Sequence, residues 1–446
     1  MMKRNVSPSS LKLALMCTIG TIGTICTAVS IIIWLRNGDL EGSLKSHLKT
    51  SGSLAGFSFA PPKIDKNLLS ARIGTQIQQN QFPEQVELSL GAKKINAHIE
   101  YALNQNLQDK MHSLIGQYKP DYAAFVAIDA KSGGVISMVS YAREHREIEN
   151  LALRASFPAA SIFKVVTASA ALDLDKAKPE TVVAFNGSNH TLYRRNVQET
   201  RVTRWTRRMT LREAFARSAN VFFGKLGLFH VGADSLMLYA ERYLFNHPIP
   251  ADIPVQTGYA RFSSADPWSV VTAASGFTQD NTMSPFQGAM IAAAVANDGV
   301  MMEPFLVERL VKPGGELLYQ VEARPASVVV QQQSAEELRE LFSETVRSGT
   351  SRKAFRKTVR RGGFDDVEFG GKTGSLTGRD PFGKCDWFVG YARYRDRRVA
   401  VAALTVNEKK WRVKSSTLAN DFFTQYIRDY RKSGSYAVHG AGPRRH

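Results

Sequence analysis

From Leu13 to Leu35 the chain carries no charged side chain and is almost entirely apolar. At about 1.5 Å per residue, a helix over this run spans a bilayer core of about 30 Å. Lys3, Arg4 and Lys12 precede it. The positive-inside bias then makes residues 1–12 a cytoplasmic tail and 13–35 a single transmembrane anchor, and it sends everything after Arg36 outward. The run is long for a signal peptide, and no A-x-A site follows it. Met16 and Ile25, which precede Cys17 and Cys26, do not suit a lipoprotein. The expected location is therefore the cytoplasmic (inner) membrane, single-pass, with the folded part outside or periplasmic.

Export decides how charge and cysteine are read. The chain has 58 Lys+Arg against 40 Asp+Glu, a formal net charge of +18. Such a balance calls for an anionic partner. In an exported domain that is a lipid surface or an acidic polymer, not nucleic acid. Arg194, Arg195, Arg201, Arg204, Arg207 and Arg208 cluster together, and a second basic run extends from Arg352 to Arg361. Both read first as solvated basic faces, and second as contacts to lipid head groups or an acidic wall polymer. Of the 3 cysteines, two lie in the apolar run and Cys385 stands alone, so there is no disulfide framework. No metal spacing, P-loop, G-x-G-x-x-G, G-x-S-x-G or H-E-x-x-H is present, so neither metal nor cofactor is expected. Nothing beside Cys385 suits an activating base, so it reads as a packed residue.

Residues 36–83 read as a juxtamembrane linker, because Gly38 to Pro62 is rich in Gly, Ser and Lys. Ile95, Ile99, Leu103 and Leu107 fall four apart, a helical spacing. Tyr122 to Asp129, the turn Lys131-Ser132-Gly133-Gly134 and Val135 to Tyr141 predict a hairpin. Phe157 to Asn297 is mostly helical in pattern, with Ala-rich stretches at Ala168–Leu174 and Ala289–Ala296. Glu368 to Gly371 starts a strand, Asp386 to Arg393 and Arg398 to Val406 form a strand pair, and Ser416 to Tyr430 is a closing helix. Residues 431–446 read as a flexible tail. Strands at both ends with helices between predict an α+β domain over 84–430, one antiparallel sheet with a helical subdomain inserted.

Three short strings carry the chemistry: Ser161-Ile162-Phe163-Lys164, Ser218-Ala219-Asn220 and Lys372-Thr373-Gly374-Ser375. Residues three apart share a helix face, so Lys164 reaches the Ser161 hydroxyl. A protonated lysine is no base; a second cation nearby lowers its pKa by repulsion, and Lys372 is the candidate. Each string alone is weak. Ser9–Lys12 and Ser46–Lys49 also read S-x-x-K, and Lys432-Ser433-Gly434 and Arg347-Ser348-Gly349 loosely echo the third. Only Ser161 opens an apolar helical run, and only Lys372 precedes a strand pair. Strict alternation puts Lys372 and Thr373 on opposite strand faces, a conflict that an edge strand bordering the cleft resolves.

With its flanks, Phe157 to Thr167 resembles the nucleophile segment of penicillin-binding transpeptidase domains. Leu211 to Val221, Thr282 to Gln287 with Ala296 to Val300, Gly371 to Ser375 and Asp386 to Tyr391 are similar to further segments of that family, in the family's order. The resemblance spans roughly Glu84 to Tyr430. It implies the β-lactamase/transpeptidase-like fold, a five-stranded antiparallel sheet with flanking helices plus a helical subdomain. It implies a D,D-transpeptidase that cross-links peptidoglycan stem peptides through a Ser161 acyl-enzyme and is inhibited by β-lactams. Catalytic roles fall on Ser161, Lys164, Ser218 and Lys372, and substrate binding on Asn220, Thr373, Gly374 and Ser375. The backbone N–H groups of Ser161 and Ser375 form the implied oxyanion hole. The partners expected are stem peptides, β-lactams, the membrane and a separate glycosyltransferase, since the stretch after the anchor is too short for one. The family often has Pro-Gly before the serine, where Ala159-Ala160 stands here. Trp387 and Phe388 read as core packing rather than substrate stacking. Three rivals stay open: a D,D-carboxypeptidase, a β-lactamase, for which Glu241-Arg242-Tyr243-Leu244 is a partial deacylation motif, and a covalent β-lactam sensor.

Overall fold

The computed structural model describes residues 64–439 apart from 91–92, 146–148, 200 and 361–362. The expected anchor, the cytoplasmic tail and residues 440–446 lie outside the described residues. Among the described residues no single helix is long and apolar enough to cross a membrane.

The folded body begins earlier than the expected linker boundary. Helix α1 (Lys66–Gln78) is capped by the Asp65 carboxylate, which accepts from Leu68 N at 2.9 Å. It buries Leu69, Ile73 and Ile77, spaced at four residues, in the main core. Strands β1 (Gln85–Leu90) and β2 (Lys93–Tyr101) pair antiparallel and continue through Val307–Val311 to Leu317–Gln320 as a small sheet. Ile95 and Ile99 thus sit on a strand, which corrects the helical expectation. A spacing of four is also a multiple of two, and Lys94, Asn96 and His98 alternate outward between them. The helix starts later, as α2 (Gln105–Tyr118), and buries Leu107, Met111 and Ile115.

The hairpin β3 (Tyr122–Asp129) and β4 (Val135–Ala142) forms as expected. The helical insertion then holds α3 (Lys164–Asp173), α4 (Leu211–Ala216), α5 (Asn220–Leu226), α6 (Pro267–Ser275) and α7 (Pro285–Ala296). After α8 (Arg352–Arg360) come β5 (Glu368–Arg379), β6 (Phe382–Tyr394) and β7 (Arg397–Asn407), and last α9 (Ser415–His439). Helix α9 runs past Tyr430 into the expected tail.

The central sheet is antiparallel with the order β5-β6-β7-β3-β4. Strands from both ends of the chain therefore meet where β7 pairs with β3, Val399 opposite Asp129 and Val406 opposite Tyr122. Alternation sorts the sheet's residues into two cores. Ala124, Val126, Trp387, Val389, Ala402 and Leu404 face the main core with α7, whereas Phe125, Phe388, Val401 and Ala403 face α2 and α9. Helix α7 is buried on all sides over its 12 residues, begins at the Ser284 cap and Pro285, and is Ala-rich. Its small side chains let the sheet approach closely, with Gly288 against Ala402 and Val389.

Phe422 of α9 is fully buried and packs on Phe125 at 5.0 Å between ring centroids. Phe422→Ala is expected to lower unfolding free energy by about 3–5 kcal/mol, measured by denaturant titration.

Candidate active site

Three elements converge on one cleft of about 1110 Å³. Ser161 lies in a 3₁₀ turn, Ala160–Phe163, that runs straight into α3. Ser218 occupies the turn between α4, which is held by a Thr210/Glu213 capping box, and α5, which starts at Asn220. Lys372, Thr373, Gly374 and Ser375 lie on β5, an edge strand of the central sheet. The structure thus brings all eight sequence-derived residues together.

Lys164 is fully buried beneath the cleft. Its Nζ lies 2.8 Å from Ser161 Oγ and 2.8 Å from Asn220 Oδ1, and it donates to Ser275 O. The Asn220 amide is oriented by Nδ2 donating to His190 O at 3.1 Å. Two partners of the amine can only accept, and the Ser161 hydroxyl can also donate. A neutral amine therefore satisfies all three by giving two protons and taking the hydroxyl's. Burial pushes the Lys164 pKa well below its ordinary 10.5, and the charge on Lys372 lowers it further. Repulsion between the lysines is thus the smaller cause, where the sequence had suggested it as the main one.

Lys372 is also fully buried; its Nζ donates to Ser218 Oγ at 3.0 Å and to Thr373 O at 2.8 Å. Burial lowers its pKa to about 7.

Edge position removes the conflict over strand faces. Lys372 pairs with Val389 on the main-core face, and Thr373 pairs with Phe388 on the other. Thr373, Gly374 and Ser375 still line the cleft along the strand's open rim. A Cβ built on Gly374 meets Ser161 N and Ile162 N at 3.3 Å, so the strand passes tightly beside the nucleophile turn.

Two non-glycine residues here adopt left-handed backbone: Ala160, with φ 49°, and Ser218, with φ 57°. Ala160 stands where the family often has glycine, so this departure carries strain. Gly276 supports it from behind. Its φ is 63°, and a Cβ there would sit 1.9 Å from Ala160 O.

Some contributors were not read from the sequence. His190 lines the cleft, and its pKa is lowered by burial and by Lys164 and Lys372. Thr350 Oγ1 lies 2.5 Å from Thr373 Oγ1, and Ser275 O contacts Lys164 through the backbone. Nothing local marks these residues; His190 and Thr350 enter through turns and Ser275 from the end of α6, all from elsewhere in the chain. Trp387 is buried, its Nε1 donating to Pro158 O at 2.9 Å, and Phe388 stacks on Phe355, so both are core residues as expected. Cys385 is buried, with its thiol pushed up to about 12. Glu241 is not among the residues lining the cleft. All six arginines of the first basic cluster are exposed, as a solvated face requires.

Residues 123–428 match the penicillin binding protein transpeptidase domain family. The chain belongs to this family. It is 29% identical over 267 residues to the peptidoglycan D,D-transpeptidase PbpA of Mycolicibacterium smegmatis, covering 57% of this chain and 51% of that protein. The chain spans about half the length of that relative. It is similar in fold to the crystal structure of PBPA from Mycobacterium tuberculosis, with a TM-score of 0.61, 24% identity and coverage of 74% and 82% of the two chains. The imipenem acyl-enzyme complex of that mycobacterial protein matches with a TM-score of 0.61 at 22% identity, covering 74% of this chain and 80% of that one. These likenesses establish the α+β fold of transpeptidase domains for residues within the match.

Relieving the strain at Ala160 tests its cost. Ala160→Gly is expected to stabilise the fold by about 0.5–1 kcal/mol, the lost left-handed penalty outweighing glycine's extra freedom in the unfolded chain. Thermal unfolding of the two proteins measures it.

Proposed function

We propose that this penicillin-binding protein is a peptidoglycan D,D-transpeptidase acting through a Ser161 acyl-enzyme. The observation that carries the reading is the Lys164 amine, buried, with its pKa held low, and 2.8 Å from Ser161 Oγ at the edge of an open cleft. Neutral Lys164 takes the hydroxyl proton as Oγ attacks the penultimate D-Ala carbonyl. The Oγ–C ester bond forms, the C–N bond to the last D-Ala breaks, and that amine leaves with a proton relayed through Ser218. Lys372, joined to Ser218 at 3.0 Å, feeds the relay and supplies positive charge for the terminal carboxylate, with Thr373 and Ser375 as donors. Asn220 holds both Lys164 and the substrate amide. The N–H groups of Ser161 and Ser375 stabilise the oxyanion. An amine of a neighbouring stem then attacks the ester; the new C–N bond forms, the Oγ–C bond breaks, and Oγ regains a proton. A β-lactam enters by the same first step and stays on Ser161.

A hydrolytic reading needs a group that activates water. No glutamate is among the described residues lining the cleft, and its two aspartates, Asp386 and Asp421, lie beyond the K-T-G-S strand. That favours an amine acceptor over the class A β-lactamase arrangement. The run 13–35 supports an inner-membrane anchor with the enzyme outside. The sensor reading has no further support.

The test combines labelling and transfer. Fluorescent penicillin is expected to mark the protein, and folded Ser161→Ala is expected to take no label. With a peptide or thioester donor ending in D-Ala and an added amine, transfer is expected to exceed hydrolysis; hydrolysis alone would point to a carboxypeptidase.

Lys164→Arg keeps a cation but not a usable base, so acylation is expected to fall by about 10²–10⁴-fold. Lys372→Arg is expected to retain part of it. The acylation kcat/KM is expected to rise with pH as Lys164 loses its proton, and to fall above about 7 as Lys372 loses the charge that meets the carboxylate. Rates measured across pH with penicillin and with a carboxylate-free analogue check this; the analogue is expected to lack the falling limb.

A further inference from the structure

The cleft does not end at Ser375. It continues past the K-T-G-S segment into a wall that the catalytic steps leave unused. Six cationic side chains line it: Lys353, Arg356 and Lys357 of α8, Lys384 at the start of β6, and Arg412 and Lys414 of the segment before α9. The first three belong to the run from Arg352 to Arg361, for which the sequence alone predicts a solvated face.

Their placement follows from packing. Helix α8 buries Phe355 and Thr358, and Phe355 stacks on Phe388 with ring centroids 5.4 Å apart. Phe388 is the partner of Thr373 in the sheet, so α8 is docked directly behind the K-T-G-S strand. Positions 353, 356 and 357 then fall on one helix face, turned to the cleft. Among the described residues none of these three has a carboxylate ion-pair partner. Two carboxylates also line the wall and offset part of its charge, so that six cations against two acids leave it net positive. Asp386 is buried, accepts from Ser415 N at 2.9 Å and pairs with Lys414 at 3.3 Å. Asp421 is half-buried, and burial pushes its pKa up. Like charges converging on one concavity repel and focus a positive potential into it.

Position assigns this wall to one side of the reaction. Thr373 Oγ1 touches Thr350, just before α8, and Lys384 stands opposite Thr377 in the strand register. The wall therefore begins where the subsite for the terminal carboxylate of the donor ends. By microscopic reversibility, the incoming amine occupies the place the departing D-Ala amine vacated. Whatever carries that amine extends over this wall.

Resting on the transpeptidase reading, we infer that the acyl acceptor is a peptide bearing free carboxylates near its amine, held by this wall, and that an amidated acceptor is a poor substrate. Charge complementarity supplies the selection, and its range is set by screening, about 10 Å at 0.1 M salt.

The experiment uses the full chain in detergent, a thioester donor ending in D-Ala, and two synthetic acceptor peptides of equal length. The acceptors differ only in carrying carboxylates or carboxamides beside the amine. At low salt, kcat/KM is expected to favour the carboxylate peptide by about tenfold or more, chiefly through KM, and the preference is expected to shrink as salt rises. The triple variant Lys353→Gln/Arg356→Gln/Lys357→Gln is expected to lose the preference while penicillin still acylates Ser161. Lys384→Gln, far from α8 in sequence, is expected to lose part of it and guards against a local folding defect in the helix. Equal use of both peptides by the unaltered protein, or a preference intact in the triple variant, overturns this inference alone. Absence of acylation by penicillin overturns the transpeptidase reading and this inference with it.

Discussion

Two lysine side chains buried under one cleft set the terms for the rest of this structure. A charged ammonium taken out of water is costly, so Lys164 and Lys372 persist only because each amine has fixed partners and because their protons are easily lost. Lys164 spends its contacts on Ser161, Asn220 and Ser275, and Lys372 on Ser218 and Thr373. Every element that supplies one of these partners must hold its place: the turn before α3, the turn before α5, the end of α6 and the edge strand. The cost of burial is what lowers the Lys164 pKa and makes the amine a usable base, so stability and catalysis draw on the same arrangement in opposite senses.

Backbone strain gathers at the same place. Ala160 and Ser218, both left-handed, lie immediately before the nucleophile and within the second motif. Neither conformation is favoured by its own residue type; each is imposed by the packing around it. Behind them, α7 is buried on every side and lets the sheet close onto the helical insertion. In front, β5 has no neighbour on its outer side in the sheet, so its rim remains available to a substrate strand.

Much of this was legible in the sequence, and the reasons differ by residue. The Ser161–Lys164 spacing maps directly onto a helix face, because both groups belong to one continuous turn. The strand pair after Lys372 and the hairpin at Tyr122 were readable from alternation and turn residues. Ile95 and Ile99 misled because a spacing of four satisfies a strand as well as a helix. The helix at Lys66 was lost in a polar stretch whose apolar residues are few. His190, Thr350 and the Ser275 carbonyl left no local signal, since their roles arise from contacts across 23 to 111 positions of chain. The dominant cause of the Lys164 shift was also hidden: sequence shows a second cation, but only the fold shows that both are dry. The Arg352 to Arg361 run looked like a solvated face until Phe355 fixed which side of its helix meets the cleft.

The chemistry at Ser161 depends on burial lowering the pKa of Lys164. The direct measurement is a pH titration of the Lys164 side chain by NMR, in protein carrying ¹³C-labelled lysine, with the resonance assigned by comparison with Lys164→Arg. A midpoint well below the ordinary 10.5 for lysine is expected, moving up when Ser161 is replaced by alanine only as far as loss of that contact allows. A midpoint near 10.5 in a folded protein that still acylates at Ser161 would contradict it, and the proton would have to leave by another route.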